Sequence, residues 1–222
     1  MGFQSILVRI GAYLLIPVLF LVLWGAIDRQ LDNEVILPGV GQVAALFLQP
    51  TESLIAMGSL VTNVVISLVR VLAGYLLAVC LAIPLGILMG YYGTVYRLLN
   101  GFLALFRPIP PLAWVPLVLA WFGVASLASM FGVEEGKAYL YLNNLKLSMI
   151  FIIFIGAFYP VLTSAIHGVM GVRSTLLDSA RVLGAGEWDI FRKILLPAAS
   201  PSIVNGMRIG LGVAWMCLVS AE

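Results

Sequence analysis

The chain has 222 residues, of which 62% are hydrophobic and 10% charged, where an ordinary soluble domain carries about a quarter of its residues charged. Its formal net charge is +2 and its lysines and arginines are scattered, so it has no basic face able to neutralise a run of phosphates. This composition belongs in a bilayer and excludes nucleic acid as a partner.

A helix crosses the hydrocarbon core with about 20 apolar residues, and residues 10–27, 60–90, 101–124, 147–170 and 198–221 form five such stretches. The first follows Arg9 but is too long for a signal peptide and lacks a small-residue cleavage site, so it reads as a retained membrane helix. It is followed by an outer loop, and residues 1–59 are separated on this basis from the remaining spans in 60–222. Lysine and arginine are retained on the cytoplasmic side. A cytoplasmic N-terminus places Arg9, Arg97, Arg107, Arg173, Arg181, Arg192 and Lys193 inside, leaving only Arg29, Lys137 and Lys146 outside.

In the second stretch, whose uncharged part is 71–90, Asn63, Ser67, Arg70 and Gly74 recur at helical spacing and form one polar face. Arg70 on that face reads either as an interface anchor that snorkels outward or as lining a path. Cys80 here and Cys217 in the last stretch lie in apolar runs, where a thiol is a packing residue, so neither a disulfide nor a metal site is expected. Gly86 and Gly90, like Gly206 and Gly210 later, are spaced for close helix contact.

The third stretch is interrupted by Pro108, Pro110, Pro111 and Pro116, which free carbonyls that need partners inside a bundle or in a water-lined cavity. Beyond it, residues 132–138 resemble a phosphate-binding loop. Their glycines stand one residue too close, however, and Ala138 replaces the magnesium-binding hydroxyl. The chain is therefore expected to bind no cofactor. The fourth stretch holds the single histidine, His167, read as an interfacial residue rather than a catalytic one.

Residues 171–197 form a cytoplasmic loop. Leu176, Leu177, Ala180 and Leu183 make an apolar stripe at helical spacing, and Gly184 follows where a left-handed residue ends a helix. A second short helix carries Trp188, Phe191, Ile194 and Leu195, and Pro197 is expected to open the last span. In that span Asn205, Arg208, Gly212 and Trp215 share a face. Arg208 lies too deep to reach the interface easily, and reads equally as path lining or as an internal hydrogen-bonded group.

The loop Arg173 to Pro197, RSTLLDSARVLGAGEWDIFRKILLP, resembles the signature of type I ABC importer permeases. There Glu-Ala-Ala is followed after three residues by Gly and after nine more by Ile-x-Leu-Pro. The corresponding residues are Asp178, Ser179, Ala180, Gly184, Ile194, Leu196 and Pro197, with Asp178 and Ser179 departing from the literal pattern. FRPIPPLAWVPL from Phe106, FIGAFYPVL from Phe154 and NGMRIGLGVAW from Asn205 are similar to the nitrate/sulfonate/taurine branch.

The resemblance implies an all-α polytopic membrane protein with the type I ABC importer transmembrane fold, in a bacterial inner membrane. Five spans are visible from a cytoplasmic N-terminus, and a sixth is expected beyond Glu222, so the chain is read as C-terminally incomplete. Residues 132–145 look like an insertion. The resemblance also implies that the loop residues couple the spans to cassette ATPases, which hold the ATP and magnesium. A second permease subunit, expected to be a copy of this chain, and an extracytoplasmic solute-binding protein complete the assembly. The implied solute is a small oxyanion or sulfonate: nitrate, taurine, an alkanesulfonate or bicarbonate. The competing readings are a passive channel or carrier without ATPases, and an intramembrane enzyme. The spans contain no carboxylate and one histidine, which leaves an enzyme little to work with.

Overall fold

The structure is a computed structural model that describes residues 3–31, 36–50, 53–54, 58–123, 125–132, 135–136, 139 and 142–221. In a bilayer, long apolar segments must satisfy their own backbone groups, and the helix does so within one segment. The described chain is accordingly almost all helical. It divides into two units, Met1–Val64 and Val65–Glu222.

In the first unit, helix α1 (Phe3–Leu31) contains the first expected span, and the short helix α2 (Val40–Leu48) follows it. The Trp24 indole donates to the Pro38 carbonyl at 3.0 Å, tying the end of α1 to the connection before α2. A minimal antiparallel pair joins Ser53 to Ser59 and Leu54 to Gly58.

The second unit is built on α3 (Leu60–Tyr91), which enters from the first unit, α4 (Gly93–Phe106), α5 (Val115–Phe122), α6 (Leu127–Phe131), α7 (Leu147–Met170), α8 (Ser174–Val182) and α9 (Glu187–Ala221). Four helices are long and apolar enough to cross a membrane, and the bent pair of α4 and the arm Pro111–Phe122 is long and apolar enough to be a fifth span or a re-entrant loop. A single span was expected over 101–124. Instead its two arms meet at 79°, the first starting at Gly93 and the second led by a 3₁₀ turn at Pro111–Trp114. The cause is local, because Pro110 is extended with φ −61° and ψ 140°, as steric exclusion by the following proline favours.

Helix α7 is the axis of the unit. Gly74, Gly86 and Gly90 of α3 abut Ile150, Ala165 and Val169 of α7 in rising order, so α3 and α7 run the same way. Gly206 and Gly210 of α9 abut Ser164 and Val161 in falling order, so α9 runs opposite. Two parallel spans need an odd number of crossings between them. The bent pair therefore crosses the membrane and does not loop back to the side it came from.

Val71, Ala78, Val118, Ile153, Ala157, Ala214 and Leu218 form a core shared by α3, α5, α7 and α9. Cys217 is buried in it, whereas Cys80 is exposed on α3.

The sequence placed a short helix before Pro197 and a new span after it. The structure corrects this, since α9 runs unbroken from Glu187 to Ala221. Residues Ile190–Leu195 take the wider π register, with the Leu196 N–H reaching the Phe191 carbonyl, so proline's missing donor falls at the seam where that register ends. Further on, Pro201 cannot donate to the Pro197 carbonyl, and the Ser200 hydroxyl does so instead at 2.9 Å.

Candidate functional site

Two groups of residues carry chemistry that packing alone does not explain: the loop between α7 and α9, and the outward face of α9. In the loop, helix α8 ends at Gly184, whose φ is +84°. The Gly184 N–H returns to the Arg181 carbonyl and the Ala185 N–H to the Ala180 carbonyl, both at 3.0 Å. This is the paired hydrogen-bond pattern of a Schellman terminus. Glu187 and Asp189 occupy the first turn of α9, where acidic groups complement the helix dipole.

The loop's apolar residues divide by face. Ala180, Ile190 and Leu195 are buried, and Leu177 and Phe191 pack on a cluster of Ile87, Ala165, Val169, Leu195, Ala199 and Ile203. That inward face fixes the loop to the ends of α3, α7 and α9. The outward face exposes Val182 (88%), Leu183 (86%) and Trp188 (68%), and Trp188 stacks on Phe191 with centroids 5.7 Å apart. Leu176 (51% exposed) and Leu183 therefore part company with the stripe they were grouped in, leaving Leu177 and Ala180 on the inward face. Val182 and buried Ile190 carry roles that helical spacing alone did not mark, because the stripe's direction depends on which helices it packs against.

Asp178 is exposed and paired with Arg181 at 3.2 Å, and the Ser179 hydroxyl donates to the Thr175 carbonyl at 2.7 Å. Arg181 also reaches Glu187 at 3.1 Å, and this hydrogen bond and charge hold its guanidinium above its ordinary pKa. The Tyr91 hydroxyl, at the end of α3, donates to the other oxygen of Glu187. Lys193 pairs with Asp189 at 2.6 Å. Ile194 is half-buried, and Leu196 and Pro197 are exposed on the continuing helix.

On α9, Ile203, Gly206, Gly210, Ala214 and Cys217 face inward, while Asn205, Arg208, Gly212 and Trp215 are exposed. The contacts of Gly206 with Ser164 and of Gly210 with Ala157 set Arg208 level with the middle of α7. That is about 15 Å from the Met170 end of α7 and about 20 Å from the Leu147 end at 1.5 Å per residue. Arg208 makes no hydrogen bond or ion pair with the described residues. The neighbouring Met207 carbonyl accepts from the Tyr75 hydroxyl at 3.0 Å, a tie between α3 and α9 that the sequence did not indicate.

Arg70 is elsewhere. Its Nε donates to the Asn144 carbonyl at 2.9 Å, beside the start of α7, so it does not join the Arg208 face. Arg107, expected near the cytoplasmic surface, stands at the bend between α4 and α5. The nucleotide-like stretch 132–138 lies largely outside the described residues. Among the described residues no group of histidine, cysteine and acidic side chains could hold a metal ion.

Residues 82–222 match the family model of the binding-protein-dependent transport system inner membrane component. The chain is 47% identical over 207 residues to a Methanocaldococcus jannaschii protein named as an ABC transporter permease, covering 93% of this chain and 70% of that relative. It is 34% identical over 210 residues to the taurine transport system permease protein of Escherichia coli, covering 93% of this chain and 68% of that one. Against the nitrate import permease protein of Leptolyngbya laminosa it is 35% identical over 156 residues, covering 70% of this chain and 49% of the relative. With the apolar bundle and its cytoplasmic-type loop in place, these matches settle the class: the chain belongs to the binding-protein-dependent inner membrane components, and is a multi-pass permease subunit of an ABC importer rather than an enzyme.

Proposed function

We propose that the chain lines the path of a small anion, an oxyanion or sulfonate, with its N-terminus in the cytoplasm and the outward face of α9 turned toward that path. Membership of the family brings ATPase and solute-binding-protein partners generally. The finer reading is that two copies of this chain pair, that residues 60–222 form the transport domain after an N-terminal helix and loop in 1–59, and that cassette ATPases holding ATP and magnesium dock on residues 171–197. Asp178, Ser179, Ala180, Gly184, Ile194, Leu196 and Pro197 are the coupling residues, and Val182, Leu183 and Trp188 are the side chains that project to the ATPase. Relatives named for taurine and nitrate transport support a solute of that class.

One observation carries the proposal. Arg208 and Asn205 stand exposed at mid-depth of a membrane helix, beside Trp215 and away from α7. A charge there is too costly to face lipid, so this face turns toward a second subunit or water. Arg70, bonded beside the start of α7, serves as an anchor at the outer end of α3.

The test reconstitutes the chain with its ATPase and binding protein and measures uptake of taurine and of nitrate. Lysine keeps the charge of Arg208 but loses its planar fork. Arg208→Lys is expected to retain part of the uptake and Arg208→Gln to lose most of it, with both variants assembling normally. Full uptake by Arg208→Gln, or failure of both variants to assemble, would remove Arg208 from the path.

A further inference from the structure

The loop between α7 and α9 is continuous in sequence with those two helices alone, while α3 ends beside it with no direct chain connection. The contact between them is polar and specific. The Tyr91 hydroxyl, on the last residue of α3, donates to Glu187 Oε2; Arg181 Nε reaches Glu187 Oε1 at 3.1 Å, and Arg181 also reaches Asp178 at 3.2 Å. An unbroken line of hydrogen bonds thus runs from α3 through the first turn of α9 to α8. Beside it Ile87 of α3 packs in the same apolar cluster as Leu195.

We propose that Tyr91, Glu187 and Arg181 form a joint that positions the loop against α3, so that displacement of the loop by an ATPase moves α3 together with α7 and α9. This rests on the reading of the loop as the ATPase dock. The physical reason lies in the kind of contact. An apolar cluster permits sliding, whereas charge-assisted hydrogen bonds fix length and direction. Arg181 and Glu187 are also solvent-exposed, with Tyr91 half-buried at the edge of that cluster, and exposed ion pairs add little to stability. Their directed geometry is therefore better matched to transmission than to folding. A rival route exists through α7, because Gly90 is in tight contact with Val169.

The experiment uses the complex of the chain with its ATPase and binding protein in proteoliposomes, with taurine and nitrate each supplied as solute. The quantity read is solute transported per ATP hydrolysed. Tyr91→Phe removes only the hydroxyl, and Glu187→Gln removes the charge while Arg181 keeps Asp178. Both variants are expected to co-purify with the ATPase and hydrolyse ATP, with the ratio lowered about fivefold or more. The double variant should be no worse than the poorer single one, since both break the same link.

A rescue separates position from chemistry. In a background carrying Cys80→Ser and Cys217→Ala, Tyr91→Cys with Glu187→Cys should show the low ratio. Bridging the two thiols with a bifunctional methanethiosulfonate should restore it, and a monofunctional one should not. An unchanged ratio in both single variants would assign the motion to the α7 route and overturn the joint. So would a bridged variant that stays low, or single variants that lose the ATPase. Failure of the unmodified chain to bind the ATPase would instead sink the docking assignment.

Discussion

At Gly184 the backbone has φ +84°, and a Cβ placed there would meet nothing within 4 Å. The only penalty for a side chain is therefore conformational, about 1–2 kcal/mol for an L-residue in the left-handed region, and β-branched residues resist that region most. Gly184→Val is expected to lower solute uptake several-fold, about the factor such an energy gives, while Gly184→Asn, which tolerates this conformation, retains most of it. Uptake and ATPase co-purification at matched membrane abundance check this, and wild-type values for Gly184→Val would remove the loop from coupling. The left-handed turn was legible in the sequence because its cause is local: a helix stripe ends and a glycine follows. The tie between Glu187 and Tyr91 was not, because the two lie 96 positions apart along the chain and no spacing rule connects them.

Helix α7 shows how a membrane bundle packs without a hydrophobic driving force between its helices. A Cβ on Gly206 would lie 2.3 Å from the Ser164 Cβ and 3.2 Å from the Pro160 carbonyl. Gly206→Ala must push α9 off α7, at about 1–3 kcal/mol for overpacking. Gly101, also in a helix, has open space around it. Gly101→Ala should leave stability unchanged or raise it, by up to about 1 kcal/mol from helix propensity. Thermal denaturation of the two purified variants decides the matter: equal midpoints would mean that α7 and α9 are not held at this distance. The same elements show why proline alone does not predict a break. Pro197 and Pro201 sit within continuous α9, helped by a π register and by Ser200, whereas successive Pro110 and Pro111 force an extended residue and the chain turns.

At the scale of the whole molecule, the chain is one part of a machine whose energy source lies on another subunit. The purified chain is expected to hydrolyse no ATP until its partner is added. Hydrolysis by the isolated subunit that disappears on Lys137→Ala would mean that residues 132–138 bind nucleotide after all. Composition and apolar run length placed the chain in a membrane and gave its spans, because the cost of exposing polar groups to lipid acts on every residue within a single segment. The loop signature likewise gave the family, through residues close together in sequence. Tertiary structure was needed to show that the bent pair crosses, that Arg70 and Arg208 lie at different depths, and that Val182, Leu183 and Trp188 point outward while Ile190 points in. Each of these depends on which helix packs against which, and in what direction, and that is set by contacts between residues far apart in the chain.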